Sequence, residues 1–430
     1  MLQAVTTRCP SRADAAGAAI LDRTAAAFER RLDPGSGAPI AVGFSGGGDS
    51  LALLLAARAL ASSAGRPLLA LTVDHGLNSQ SRAWTARAGE VAQGLGASFL
   101  ALAWTGDKPR TGLQAAARRA RHALLAEAAR QAGASVLLLG HTLDDVREAA
   151  WMRGQGSSVG IPREWAPSPA WPEGRGVFLL RPLLGQGRAE LRERLVPSGL
   201  DWIEDPANED GRFLRTHARR SGPVDAPEAA GPEPPPMFDA DVSGAITLPR
   251  DCGRRLLAMA CVCAGGGERL PRGREVERLI GRLAQGEVFV DTLAGARLQA
   301  GDEILVTRDA GRIAAAPQAL PVGAPVIWDG RFEVAVAAAG LSVRPLGGLM
   351  SRLETNERAA LALIPAPARP ALPAVIDADG NVTCPILAQG PWSSARTLVF
   401  GRLAASCGQI AREPALAPGP HGERDPGALS

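Results

Sequence analysis

From Ala38 to about Leu180, short apolar runs alternate with longer runs rich in Ala, Leu and Arg. The short runs are Ile40–Phe44, Leu68–Val73, Ser98–Ala103, Val136–Leu139 and Val177–Leu180, and they have the length and near-continuous apolar character of buried strands. The longer runs Ser79–Leu95 and Gln114–Ala132 read as helices, and Leu51–Arg58 reads as the start of another. Strands alternating with helices predict an α/β unit, a parallel sheet wound with helices. Ligands of such sheets sit beyond the carboxyl ends of the strands, so chemistry is expected there.

The pattern changes after this unit. Ser221 to Pro236 holds six prolines and reads as a linker. Arg250–Cys263 and Arg272–Leu283 then read as amphipathic helices, and Val288–Val290, Ala296–Leu298 and Ile304–Thr307 as short strands. A Pro-rich, strand-like region begins near Ala324. The expected division is residues 1–221, a linker over 222–240, a helical or α+β domain over 241–323, a small β-rich module over 324–416, and a disordered tail over 417–430. A chain of 430 residues suits two or three domains.

Composition narrows the class without choosing a function. Apolar residues make up 46% and charged residues 21%, which describes a globular rather than a disordered chain. The net charge of +3 is mild, although 46 of the 47 basic residues are arginine and Lys108 is the only lysine. Six cysteines without a C-x-x-C pair argue against a zinc site or a disulfide framework and suit reduced thiols. There is no signal-type apolar segment near the start, and no run approaches the ~20 apolar residues needed to span a bilayer. A cytoplasmic protein without membrane contact is expected.

Chemistry concentrates after the expected strands. Ser45-Gly46-Gly47-Gly48-Asp49-Ser50 joins a strand to a helix. Such a turn aims backbone N–H groups and a helix dipole at an anion, and glycines allow close approach of a phosphate. No Lys follows the last glycine, so this is not a Walker loop. The alternative is an ordinary strand–turn–helix corner, but serines and an aspartate at these positions favour phosphate binding, with Asp49 able to place Mg²⁺. After the second strand, Val73, Asp74 and His75 offer a backbone edge and side chains suited to an adenine or ribose, although an Asp there is commonly a turn cap. After the fourth, Gly140-His141-Thr142-Leu143-Asp144-Asp145-Val146-Arg147-Glu148 opens a helix. Asp145 and Glu148 are three apart and share a helix face, where they could hold Mg²⁺ or an ammonium group. The competing reading has Asp144 and Asp145 simply favouring the helix N-terminus. Arg118 and Arg121 also share a face, as anion contacts or as a solvated stripe.

The loop resembles the SGGxDS motif of the N-type ATP pyrophosphatases, the PP-loop family. Asp74-His75-Gly76-Leu77 resembles the VDHGLR element of the lysidine-forming branch of that family, with Asn78 in place of Arg. His141, Asp145 and Glu148 match its GHHxDDQxET pattern, whereas Thr142, Val146, Arg147 and Ala149 depart. Arg118 and Arg121 match its AR-x-x-RY helix, with His122 for Tyr. Arg181-Pro182-Leu183-Leu184, then Arg188 and Leu191, then Trp202 to Asn208, then Phe213, Arg215 and Arg219 follow the order of its later motifs, with Ala207 for Ser and Thr216 for Asn.

The resemblance covers roughly residues 38–310. It implies that ATP and Mg²⁺ adenylate the wobble cytidine of an isoleucine tRNA with a CAU anticodon, and that free L-lysine then displaces AMP. It implies Ser45, Gly46, Gly47, Gly48, Asp49, Ser50, Val73, Asp74 and His75 around the nucleotide. His141, Arg118, Arg121 and Arg215 would meet phosphate or intermediate. Asp49, Asp145 and Glu148 would hold Mg²⁺ or the lysine ammonium. Residues 1–221 would be the catalytic unit and 241–323 the tRNA-contacting one, with homodimer formation left open. The rival readings are another PP-loop tRNA-modifying enzyme, such as a thiolase, and a tRNA-binding protein with degraded catalysis. The absence of cysteine from Ala38 to Ser221 argues against sulfur transfer.

Overall fold

A computed structural model describes residues 11–157, 159–204, 217–218, 236–388 and 390–414. The chain divides into two compact units, Met1–Gly231 with Ile410–Ser430, and Pro232–Gln409.

The first unit is built on a six-stranded sheet. Its elements are α1 (Arg12–Arg31), β1 (Ile40–Gly43), α2 (Gly48–Ala64), β2 (Leu68–Asp74), α3 (Ser81–Gly94), β3 (Ser98–Ala103), α4 (Leu113–Gln131), β4 (Val136–Leu139), α5 (Leu143–Gly154), β5 (Trp165–Pro167), β6 (Phe178–Leu180) and α6 (Arg188–Leu195). The order across the sheet is β3-β2-β1-β4-β6-β5. β1 and β4 are fully buried along their length, as expected of interior parallel strands covered on both faces, whereas the edge strand β3 is largely exposed. Alternation sends Ile40, Val42, Val136 and Leu138 to one core, with α1 and α2, and Ala41, Leu137 and Leu139 to the other, with Leu125, Ala126 and Ala129 of α4.

Two features depart from the expected parallel sheet with its first strand near residue 40. β5 pairs antiparallel to β6 at the sheet edge, where Pro167 is tolerated because no further strand needs its missing N–H. A 20-residue helix, α1, precedes β1. Asp14 caps it, its carboxylate accepting from Ser11 N at 2.9 Å. Gly17 lets α1 lie against α2, since a Cβ there would meet Leu55 O at 2.6 Å.

The second unit has a five-stranded antiparallel sheet covered by the helices Arg254–Ala264 and Gly273–Ala284, and two smaller sheets of four and three strands. The helix Val399–Ser406 inserts Val399 and Leu403 into the same core as Leu257, Leu279 and Val306. Of the eight arginines between Arg250 and Arg282, five are engaged inside this unit, Arg255 through a bond to Ser406 O at 3.5 Å. Arg254 pairs with Glu277, Arg278 and Arg282 share Asp291, and Arg250 donates to backbone carbonyls including Leu283 O. Among the described residues no helix is long and apolar enough to cross a membrane.

The segment Ile410–Glu413 belongs to the first unit and lies at the amino ends of β1 and β4. Glu413 is bidentate to Arg66, at 2.7 and 3.0 Å, and also accepts from Asp33 N at 3.1 Å. Arg66 in turn donates to Ala38 O at 2.7 Å. Both side chains are almost wholly buried, at 4% and 1% exposure. Removing one member of a buried ion pair leaves the other charge uncompensated, which costs about 3–5 kcal/mol. Glu413→Ala should therefore lower the urea-unfolding free energy of the first unit by about that amount, whereas a change under ~1 kcal/mol would mean that water reaches Arg66.

Candidate active site

The sheet order places β1 and β4 side by side while β2 lies on the other flank of β1, so the connections diverge between β1 and β4. A crevice at the carboxyl ends of the strands follows from that divergence, and the Ser45–Ser50 and Gly140–Glu148 segments both begin there.

The first loop turns on Gly46, whose φ of +81° is accessible mainly to glycine. Ser50 Oγ donates to Gly47 O at 2.8 Å and accepts from Ser45 N at 3.3 Å, so the two serines shape the turn from inside. α2 then starts at Gly48 with no side-chain cap, which leaves first-turn N–H groups available to an anion. Trp202 and Ile203 close over this loop. Ile203 N donates to Gly46 O at 2.9 Å, and a Cβ on Gly48 would meet the Trp202 ring at 3.4 Å. Gly140 packs against the same loop from β4, where a Cβ would come within 3.1 Å of Asp49 O.

The second loop carries Val73, Asp74 and His75 at the end of β2. Asp74 accepts from Gly76 N at 2.7 Å, and that hydrogen bond holds its carboxyl below the usual range. The turn-cap reading of Asp74 is thus realised. His75 stands edge-on to Trp104, and its Nδ1 is buried with no hydrogen-bond partner among the described residues. Burial first, then Arg121, lowers its pKa.

In the third segment Asp145 serves two ends. Its Oδ2 accepts from Thr142 N at 2.8 Å, capping α5, and its Oδ1 lies 3.8 Å from Arg188 Nη2. Arg188 also reaches Asp49 at 3.0 Å and Glu148 at 3.4 Å. Its backbone N–H donates to Asp144 Oδ2 at 2.7 Å, which ties the start of α6 to the start of α5. Three carboxylates from α2 and α5 therefore converge on one guanidinium. Burial raises the pKa of Asp49, and Arg188 opposes that rise. Among the described residues no cluster of three or more His, Cys, Asp or Glu forms a metal cage by itself.

The other wall is positive. Arg118 and Arg121 of α4 both bear on the buried His122, as do Arg181 and His141. Arg181 donates from Nε to His141 Nδ1 at 3.2 Å. The crevice thus has an acidic pole at Asp49, Asp145 and Glu148 and a basic pole at Arg118, Arg121 and Arg181. Motif reading gave Arg181, Arg188, Trp202 and Ile203 no role in the site, although all lie inside the motifs it identified. Arg215 and the arginine-rich stretch around it lie outside the described residues.

Comparison with known proteins bears on what such a crevice serves. A family model for the PP-loop domain matches residues 21–222. A tRNA(Ile)-lysidine synthase of Caulobacter vibrioides is 53% identical over 365 residues, covering 84% of this chain and 90% of that protein. The chain belongs to the tRNA(Ile)-lysidine synthase family. Further members named tRNA(Ile)-lysidine synthase are 34% identical in Rhizobium meliloti, over 85% of each chain, and 36% identical in Hyphomonas neptunium, over 61% of this chain and 79% of that one. The family's PP-loop fold is the sheet and loop arrangement described above.

His122 gives a test of the basic pole. Burial, reinforced by Arg118 and Arg121, pushes its pKa from 6.5 down to about 3. The folded state therefore keeps the ring neutral while the unfolded chain takes up a proton below pH 6.5, so stability is present above that pH and is lost as pH falls toward 3. Between pH 7.5 and about pH 5.5 the wild type should lose roughly 1–1.5 kcal/mol more unfolding free energy than His122→Phe. Equal losses in urea titrations would place a proton on His122 in the folded state.

A second test concerns Gly140. Gly140→Ala should force β4 away from the Asp49 backbone, costing about 1–3 kcal/mol of stability and weakening ATP binding measured by calorimetry. Unchanged binding and melting would show that the loop can shift to admit the methyl group.

Proposed function

We propose that this chain ligates free L-lysine to the wobble cytidine of the CAU anticodon of an isoleucine tRNA, with ATP cleaved to AMP and pyrophosphate. The observation that carries this reading is the bipolar crevice at the β1/β4 divergence in a member of this family. A triphosphate and an ammonium-bearing substrate need opposite charges within one site, and the two poles supply them.

In this reading Ser45, Gly46, Gly47, Gly48 and Ser50 cradle the phosphates against the start of α2. Val73, Asp74 and His75 border the nucleoside, and His75 Nδ1, buried and without a partner among the described residues, would accept one of its hydrogen bonds. The cytidine C2 oxygen attacks the α-phosphorus and pyrophosphate leaves. The lysine ε-nitrogen then attacks C2, the bond from C2 to the AMP oxygen breaks, and the nitrogen gives up a proton. Arg118, Arg121, Arg215 and His141 would stabilise negative charge on the phosphoryl oxygens through both steps.

Asp49, Asp145 and Glu148 would hold the lysine ammonium or Mg²⁺. Their hard oxygens suit Mg²⁺, which commonly takes only one or two carboxylates beside substrate phosphates, so the lack of a closed cage is no obstacle. Held there, Mg²⁺ would supply neutralisation of phosphate charge. Cytoplasm is the setting that suits such a reaction.

Sulfur transfer finds no support in the thiols. All five described cysteines belong to the second unit, where burial pushes Cys252 up to about 11 and Cys263 and Cys384 up to about 12. A nucleophilic thiol requires the opposite shift.

Incubation with labelled lysine, ATP, Mg²⁺ and isoleucine tRNA, followed by nucleoside mass spectrometry, should yield lysidine. tRNA-stimulated AMP without lysidine would indicate another nucleophile, and tRNA binding without either product would indicate a binding protein. Asp145→Ala should abolish turnover, and near-normal activity of that variant would remove Asp145 from the mechanism.

A further inference from the structure

Arg181 follows β6 directly and is only 7% exposed. Its backbone N–H donates to Glu164 O at 2.8 Å and its Nη1 to Arg163 O at 2.8 Å. The first bond anchors the backbone and the second holds the guanidinium, whose Nε is directed at His141 Nδ1, 3.2 Å away. Burial, with Arg118 and Arg163 nearby, lowers the Arg181 pKa to about 10, so the group still carries its charge near neutral pH. A guanidinium has donors and no acceptor, so the nitrogen it faces must offer a lone pair.

We propose that Arg181 is a positioning residue that fixes His141 as the neutral tautomer with its hydrogen on Nε2, so that His141 serves the reaction through Nε2 as a hydrogen-bond donor and not as a base. This rests on the reading above that His141 meets the phosphate or the adenylate. A donor is what that position needs. Negative charge grows on the phosphoryl oxygens as pyrophosphate departs and again as AMP leaves, and an N–H stabilises it whereas a bare ring nitrogen would repel it. Which nitrogen carries the proton is set by what the other one contacts, and here the contact is a cation. Taking the proton from the attacking lysine nitrogen is then the task of another group.

The test uses the full chain labelled with ¹⁵N-histidine. With only five histidines, long-range nitrogen–proton spectra are simple, and His141→Asn identifies the ring in question. In the wild type at neutral pH, Nε2 should appear protonated and Nδ1 unprotonated. In Arg181→Met the two nitrogens should move toward an averaged mixture of tautomers, with kcat for lysidine formation falling on the order of 10²-fold and KM for ATP little changed. Arg181→Lys, which keeps the charge without the fixed fork, should fall between the two. A wild-type ring protonated on Nδ1 or on both nitrogens would overturn the proposal, as would an unchanged tautomer in folded Arg181→Met or Arg181→Lys. If Arg181→Met does not fold, the wild-type spectrum and the lysine variant carry the test. A fixed tautomer together with full activity of His141→Asn would overturn the donor role and the reading of His141 beneath it, while leaving the contact with Arg181 in place.

Discussion

The site depends on one guanidinium. Arg188 takes Asp49 from the first turn of α2 and Asp145 and Glu148 from the first turns of α5, and its own backbone N–H binds Asp144. Asp145 and Glu148 are 7% and 5% exposed, and carboxylates so buried are costly unless a cation is near. Arg188 is also the first residue of α6, so the start of that helix and the charge balance of the cluster are one structural event. Three carboxylates around one cation leave a net negative field, and a second cation entering the cluster would be drawn to it.

Glycines set how closely the two sides of the crevice approach. Gly140 brings β4 against the backbone of Asp49 and Ser50, and Gly46 brings the phosphate loop under Ile203, where a Cβ would come within 2.5 Å of the side chain. Side chains at either place would separate the phosphate loop from the acidic cluster or from the Trp202–Ile203 cover. The opposite charges of the two poles can then act on one bound molecule, because the loops that carry them leave adjacent strands.

Much of this was legible along the chain, and the failures have physical causes. Interior parallel strands such as Ile40–Gly43 and Val136–Leu139 are apolar throughout because both faces are covered, which makes them visible. β5 was missed because three residues ending in Pro167, paired on one side only, carry no strand pattern. α1 was missed although Ser11 and Asp14 signal its start and Ala16, Ile20, Thr24 and Phe28 mark its buried face at helical spacing. The loops were found because their residue types are chemically specific. Their partners were not, since Arg188 meets Asp49 across 139 positions and Arg181 meets His141 across 40. Sequence likewise does not reveal that Arg278 and Arg282 are both engaged by Asp291.

Three departures from the family pattern, Asn78, Thr142 and His122, have definite local settings, which bears on whether catalysis has decayed. Asn78, in place of an arginine, accepts from Gln80 N at 2.9 Å and makes the turn that enters α3. Thr142, in place of a second histidine, is the N-cap of α5 and is bonded to Asp145 Oδ2 through both its backbone N–H and its hydroxyl. That exchange fixes the carboxylate which also faces Arg188. His122, in place of Tyr, is kept neutral by its burial and then by the arginines around it, and adds no charge to the basic pole. A decaying site loses first the groups that are costly to keep, such as buried carboxylates, clustered arginines and glycines pinned by close contacts. All three are retained here, and Thr142 supports one of them by holding Asp145.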